Sequence, residues 1–435
     1  MKNISNKNSI KTILMGFSKL SAKDRIKRLI ETGIFIKEDF LKLNNKNLVS
    51  KELANNLIEN CIGFFQIPLG VALNYVIDGK DYIIPMAVEE TSIIAAASKT
   101  AKWVCENGEI VTENLGWLGI GQIQIPKVTN YNAFKKIIEL NKNDLLNSVN
   151  HNVASRMTLR GGGAKDLQVK SLMRKDGQQM AVIHMLVNTC DAMGANTINQ
   201  MSEYLKIHIE KLTHEKVGLC ILSNLVDTKL TRASIIIKNI DPDLGGAIEE
   251  ASVFAELDPY RAATSNKGVM NAIDGLLIAT GNDWRAVEAG IHAYAAQSGQ
   301  YKPITHWYMD RNNLHGELTA PIDVGIVGGV TRLHPTAQIC LKILRIEAAA
   351  ELAKIVAAVG LVQNLAALRA LVTGGIVQGH MLLHINNLIS NLDLSKQEYS
   401  IVKQKLAMRL ATKKSITGED INEIITSLRK KDTTY

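Results

Sequence analysis

Between Arg345 and Val372 the chain carries, beyond Arg345 itself, only Glu347, Glu351, Lys354 and Arg369 as charges, with Gly360 as the one helix-breaking interruption. A helix that is apolar nearly all round has no face for water and must be wrapped by other elements. The chain therefore has to build a large core around this segment, and 435 residues suffice, since a domain takes roughly 150. Uninterrupted apolar runs such as Leu276 to Ala279 or Ile355 to Val362 fall short of the ~20 residues that cross a bilayer. No signal-peptide pattern opens the chain. A cytoplasmic protein with no membrane segment is expected.

Composition narrows the class further. Gly and Pro number 31 and 8, too few for a collagen-like or low-complexity chain. Five cysteines, Cys61, Cys105, Cys190, Cys220 and Cys340, are odd in number and never form C-x-x-C, which points to neither a disulfide framework nor a zinc cluster. The net charge of +8 is local: residues 1 to 51 hold 12 Lys/Arg against 4 Asp/Glu, which leaves the body neutral. Without interleaved aromatics, that basic arm gives no reason to expect nucleic acid as a partner.

Along the chain, Ser21-Ala-Lys-Asp24 resembles a capped helix start. Ile62 to Asn74 is apolar with Pro68 and Gly70, and Asp78-Gly79 signals a hairpin before Tyr82 to Met86. The Ala-rich Ser92 to Val104 predicts a buried helix. From about 115 to 240 the order reads strand (Leu118 to Ile125), helix (Asn132 to Leu146), strand (Leu167 to Lys170), a turn at Asp176-Gly177, strand (Met180 to Val187), helix, then short strands at Leu219 to Leu222 and Ala233 to Ile237. That is the ferredoxin-like βαββαβ order. Beyond Gly246 the pattern is mainly helical, over Gly246 to Leu257, Asn282 to Ala296 and the long apolar run. Gly374-Gly375 and Gly379 then loosen the backbone before a Lys-rich helical tail. The predicted class is α+β, a large mainly helical domain (1–114 and 226–376) with an inserted ferredoxin-like domain (115–225) and a C-terminal helical lobe (377–435).

Several segments could carry chemistry. Asp191-Ala-Met-Gly-Ala-Asn-Thr197 joins a strand to a helix with small residues, a form that lets an anion reach free N–H groups at the helix start. An ordinary connecting turn reads the same way. Gly119-x-Gly121 lacks the third glycine of a dinucleotide fingerprint, and Arg160-Gly161-Gly162-Gly163 does not open a helix, so neither a Rossmann turn nor a P-loop is present. Glu89-Glu90 precedes a buried helix. Lys267 and Asp283 flank one apolar segment. His380 and His384 could share a helix face as metal ligands, but no Glu completes an H-E-x-x-H motif and no third ligand lies near in sequence.

Glu59-Asn-Cys-Ile-Gly63, Pro85-Met-Ala-Val-Glu-Glu90, Asp191-Ala-Met-Gly-Ala-Asn196, Asp258-Pro-Tyr-Arg-Ala-Ala263, Asn266-Lys-Gly-Val-Met-Asn271, Gly281-Asn-Asp-Trp-Arg-Ala-Val-Glu-Ala-Gly290 and Gly379-His-Met381 together resemble 3-hydroxy-3-methylglutaryl-CoA (HMG-CoA) reductase of the soluble bacterial class (class II). The blocks run in the family's order from about residue 55 to 385. The resemblance implies a four-electron, reversible reduction of HMG-CoA to mevalonate and CoA by two reduced nicotinamides, with no metal. It implies a catalytic set of Lys267, neutralising charge on the carbonyl oxygen; His380, protonating the CoA thiolate; Glu90, a raised-pKa acid in apolar surroundings; and Asp283, tying Lys267 and Glu90 into one network.

By the same resemblance Arg261 would pair with the substrate carboxylate, with Ser92, Asn271 and Asn364 as polar contacts. Asp191, Met193, Gly194, Ala195, Asn196 and Asn224 would bind the cofactor. The family builds its site between two subunits, so a homodimer is the smallest assembly implied, the 115–225 insertion is its cofactor domain, and the lobe from 377 is a flap carrying His380. Ser265 and Thr91 stand where the family often has His and Pro, and no assigned catalytic group is lost by either. For NADPH against NADH, anchoring on Gly161 puts neutral Ala154 with Arg156 and Arg160 at the selective position, whereas anchoring on Leu145-Leu146 brings Asp144 there. The first favours NADPH, toward which the reading leans. Two rivals remain: a zinc-dependent CoA-thioester hydrolase using His380 and His384, and a CoA or nucleotide sensor without turnover.

Overall fold

The computed structural model describes residues 10–34, 36–43, 49–374, 385, 388–389, 392–413 and 416–432. His380 and His384 lie outside these residues. Strands β1 (Leu69–Ile77) and β2 (Lys80–Ala87) form an antiparallel hairpin. Its turn places Asp78 and Gly79 at φ 50° and 76°, the double left-handed conformation for which Asp-Gly is favoured.

A four-stranded sheet orders β3 (Gly108–Asn114), β8 (Leu230–Ile237), β10 (Asn313–Pro321) and β9 (Thr305–Asp310), all antiparallel. Against it pack the helices Ile93–Asn107, Pro242–Leu257, Pro259–Ala279 and Ala349–Thr373. Every residue from Ile355 to Ala366 is buried, as an all-round apolar helix requires. This is the one described helix long and apolar enough to cross a membrane, and most of it is buried inside the fold. Gly360 is no break in it: a Cβ there would stand 2.9 Å from Val269 Cγ1 and Ile273 Cδ1, so the missing side chain lets helix 349–373 close on helix 259–279.

The second four-stranded sheet runs β5 (Gly163–Met173), β6 (Gln179–Asn188), β4 (Leu118–Ile125), β7 (Cys220–Ser223), again antiparallel. With helices Tyr131–Leu140 and Lys142–Asn152 after β4 and Ala195–Thr213 after β6, this is the spatial order that a βαββαβ unit adopts. Ile123, Ile125, Ile183 and Met185 meet Ile198, Met201, Leu205 and Ile209 in its core. Gly119 and Gly121 serve this packing, because a Cβ at 121 would meet Ser202 Oγ at 2.6 Å and Ile198 Cγ2 at 2.9 Å.

The structure differs from expectation at three places. Residues 230–237 join the large sheet rather than the small one. The region after Gly246, read as helical, contains the β9–β10 hairpin, in which Trp307 lies against Gly316. The helix bearing Lys267 begins at Pro259, with Asp258 capping the Tyr260 N–H at 3.1 Å, so Lys267 is mid-helix rather than ahead of one. C-terminal helices Lys396–Lys413 and Gly418–Asp432 share their own cluster of Ile385, Ile389, Val402, Leu406, Ile421 and Ile424.

Candidate active site

Helix 259–279 buries Ala262, Ser265, Asn266, Val269 and Met270 and leaves Tyr260, Thr264 and Lys267 exposed on the opposite side. Lys267 Nζ reaches Glu90 Oε2 at 3.5 Å. Glu90 sits in the turn between β2 and helix 93–107, whose first position is Ser92 at φ 82° with its Oγ buried and unpartnered. The side chains of Lys267 and Glu90 are 66% and 43% exposed, so as an ion pair they add little stability. The dry surroundings expected for both are not formed within one chain. Arg261, a turn and a half before Lys267, is half-buried, and desolvation pulls its guanidinium below the usual arginine value. Asn271 lies one turn beyond Lys267, partly buried.

Asn364 belongs to the layer beneath. It is 1% exposed, accepts from Trp307 Nε1 at 2.8 Å and donates to Ser265 Oγ at 3.2 Å. Asn364 thereby forms a buried link from the core helix and β9 to the helix of Lys267. Asn266, wholly buried, ties that helix to the following segment by bonds to Lys302 O and the Ile304 N–H at 2.9 and 3.0 Å.

On the other side lies a cleft of about 330 Å³ lined by Met193, Ala195, Ile221, Leu222, Asn224, Asp283, Arg285 and Ala286. Gly194 precedes helix 195–213 at φ 85°, and a Cβ there would meet Thr189 Cγ2 at 2.3 Å. No side chain caps this helix, so its first N–H groups and positive dipole end are free for an anion. A pyrophosphate therefore fits these residues. Asn224 emerges from β7 against Gly290 of helix Trp284–Ala295, where its carbonyl would meet a Cβ at 2.5 Å. A larger hollow of about 540 Å³ lies at the β5–β6 hairpin tip around Leu172, Met173 and Met180, at the far end of β6 from this cleft.

Two assigned groups do something different from what was expected. Asp191 Oδ1 accepts the Ala349 N–H at 2.9 Å, and its backbone carbonyl accepts the Ile326 N–H at 2.9 Å. It thus caps the long core helix, whose own N-cap, Ala348, has no side-chain cap to offer. Asp283 caps helix 284–295 through the Ala286 N–H at 3.2 Å and pairs with Arg285 at 3.3 Å. Lys267 lies twelve residues before the end of its helix at Ala279, about 18 Å along the axis. Within one chain the structure unites Lys267 and Glu90 and places Asp283 in the cleft lined by Met193 and Asn224.

Sequence reasoning missed Asn282 and Gly325. Asn282 is buried, donates to Thr280 Oγ1 at 3.0 Å and accepts the Gly325 N–H at 2.8 Å. A Cβ on Gly325 would stand 2.6 Å from Met193 N. The two residues thus fix the nucleotide turn against Asp283, and the cluster Gly325-Ile-Val-Gly328-Gly329 was the signal available. Near the same turn, the Cys190 thiol lies 3.8 Å from Arg160 O, with exposed Arg156 on the short helix Ser155–Thr158 just before it. Asp144 is instead in the first turn of helix 142–152, about 12 Å from that helix's end. Among the described residues no three His, Cys, Asp or Glu side chains are grouped to hold a metal.

The sequence profile of the family described as hydroxymethylglutaryl-coenzyme A reductase matches residues 21–385. The chain is 45% identical over 380 residues to 3-hydroxy-3-methylglutaryl-coenzyme A reductase of Archaeoglobus fulgidus, covering 86% of each. It is 34% identical to the probable reductase of Borreliella burgdorferi, over 91% of this chain and 93% of that one. Among solved structures it is similar to the class II reductase of Streptococcus pneumoniae bound to NADPH in open conformations, with TM-score 0.80, 36% identity, and coverage of 83% of this chain and 100% of that one.

Proposed function

The chain belongs to the hydroxymethylglutaryl-coenzyme A reductase family, and on that premise we propose how its own side chains divide the work. The protein is an NAD(P)H-dependent oxidoreductase of the mevalonate pathway, converting HMG-CoA and two reduced nicotinamides to mevalonate, CoA and two oxidised cofactors. The bound nicotinamide supplies the hydrides. The protein must neutralise the oxygen that becomes negative after each transfer and supply protons to the leaving thiolate and the aldehyde oxygen.

Lys267 carries the first task. Its ammonium stands on an open helix face in a loose, exposed pair with Glu90, and the half-buried Arg261 on the same helix suits the substrate's free carboxylate. Ser92 Oγ, buried and unpartnered, and Asn271 are polar contacts for the same substrate. Glu90, within 3.5 Å of Lys267, delivers the proton to the aldehyde oxygen. His380, outside the described residues, is assigned the proton for the CoA thiolate. Met193, Gly194, Ala195, Asn196 and Asn224 hold the dinucleotide against the free helix start, with Asp191 bracing the turn from behind.

The active site is shared between two subunits of a homodimer. The observation that supports this is the separation of Lys267 and Glu90 from Asp283 along helix 259–279: a lysine stem of four carbons cannot cross about 18 Å. A second copy contributing its Asp283 and nucleotide turn completes the site and excludes water from Lys267 and Glu90. NADPH is the favoured cofactor, since Arg156 and Arg160 flank the Cys190–Asp191 turn while Asp144 lies far up its helix. None of the five cysteines is in a disulfide, which suits work in the reducing cytoplasm. The test follows reduced-nicotinamide absorbance with HMG-CoA and, separately, free mevaldehyde. Wild-type protein is expected to reduce both and Lys267→Ala neither; retained aldehyde reduction by the variant would remove Lys267 from its role.

A further inference from the structure

Two carboxyl groups without a part in the reaction link the helix of Lys267 to the helix of Asp283. Asp274 is two turns beyond Lys267 on the same side of helix 259–279, about 10 Å along its axis. Its Oδ1 is buried and receives no donor, while the carboxyl group of Glu288 on helix 284–295 lies within hydrogen-bonding reach of its side chain. Two ionised carboxylates only repel, so a hydrogen bond between them requires that one keep its proton. Burial first, and then the negative charge of Glu288, raise Asp274 to about 8.

Among the described residues no positive charge is named as acting on Asp274. Helix 284–295 presents Glu288 and, one turn on, His292, whose Nδ1 is occupied by the Tyr301 hydroxyl at 2.7 Å. The segment after that helix presents Tyr301, on which Glu288 also acts. Strand β2 and the residue after it offer only Met86, Ala87 and Val88 beside the adjoining Gly275, and helix 349–373 meets helix 259–279 through Gly360 against Val269 and Ile273.

We propose that Asp274 and Glu288 share one proton and act as positioning residues, a proton-dependent clamp that fixes the Lys267 helix against the helix capped by Asp283. The kinetic consequence rests on the reductase reading; the shared proton does not. Because Lys267 and Asp283 of one chain serve different active sites of the dimer, the clamp sets the spacing of the two half-sites that each subunit contributes. Losing the proton puts two negative charges into a dry contact and parts the helices.

The experiment compares full-length wild type with Asp274→Asn, which keeps the shape and a hydrogen-bond donor but cannot ionise, and with Glu288→Gln as a second variant. A folded-state value above the usual 3.8 makes Asp274's contribution to stability complete below about pH 4 and lost as pH climbs through about 8. Wild type is therefore expected to lose stability to urea relative to Asp274→Asn across that window. Its kcat/KM is expected to fall about fivefold between pH 8 and 9, while either variant changes less than about twofold. Identical pH slopes of stability in wild type and both variants would overturn the shared proton. An altered stability slope with an unmoved alkaline limb of kcat/KM would overturn the clamp. Absence of turnover by wild type at every pH would count against the reductase reading, and the urea titration would still decide the proton.

Discussion

Mixing two dead subunits should restore activity. Lys267 lies about 18 Å of helix axis before Ala279, beyond which the chain turns to reach Asp283, against the 4 Å or so at which a lysine and a carboxylate pair. If each site takes Lys267 and Glu90 from one subunit and Asp283 from the other, a dimer of one Lys267→Ala chain and one Asp283→Ala chain has one site missing both groups and one site missing neither. The purified hybrid, selected by a different tag on each chain, should show about half the wild-type rate per dimer. Each parent homodimer should retain about 10⁻² to 10⁻³ of it or less, the scale on which losing a charge-stabilising group acts. The assay is reduced-nicotinamide oxidation with saturating HMG-CoA, with hybrid composition checked by native mass spectrometry. A hybrid no more active than its parents would refute the reasoning, since it would mean that both groups act within one chain.

Further expectations concern the cofactor side. Asp191→Ala removes the cap of helix 349–373 and should cost about 1–2 kcal/mol in urea unfolding while raising KM for NADPH more than it lowers kcat; Asp191→Asn, which keeps an acceptor oxygen, should restore most of both. Arg156→Ala and Arg160→Ala together should weaken NADPH at least about tenfold, the loss of one charged hydrogen bond or more, and leave NADH nearly unchanged. Equal effects on the two cofactors would place the 2′-phosphate elsewhere.

Local signals in the sequence were read well where a single residue type dictates geometry. Asp78-Gly79 set the β1–β2 turn, the near absence of charge from 355 to 366 placed that helix at the centre of the core, and the alternation in β4 and β5 revealed the small sheet. The β9–β10 hairpin escaped because its turn, at Arg311-Asn312 with Arg311 at φ 55°, lacks the Asn-Gly or Asp-Gly pair that marks such turns most strongly, and because Gly316 faces the Trp307 ring rather than marking a bend.

The site was legible as a set of residues but not as an arrangement. The resemblance implied one network for Lys267 and Asp283, sixteen positions apart in the chain, yet twelve of those positions are helix and carry the chain away from Lys267 before it turns to Asp283. Asn364 illustrates the converse difficulty. The resemblance implied a substrate contact for it, and nothing in its surrounding apolar run foretold that its amide would also bond Trp307 and Ser265 at the centre of the core. Asp191 likewise sits in a turn fit for an anion but spends its carboxylate on a helix start more than 150 residues later in the chain.

That long-range bond joins dinucleotide affinity to the integrity of the molecule's centre. Saturating the turn with ligand should slow amide exchange at the start of the innermost helix, because ordering Asp191 withholds the Ala349 N–H from solvent. Melting that first helical turn should in return loosen the grip on the dinucleotide by the same factor.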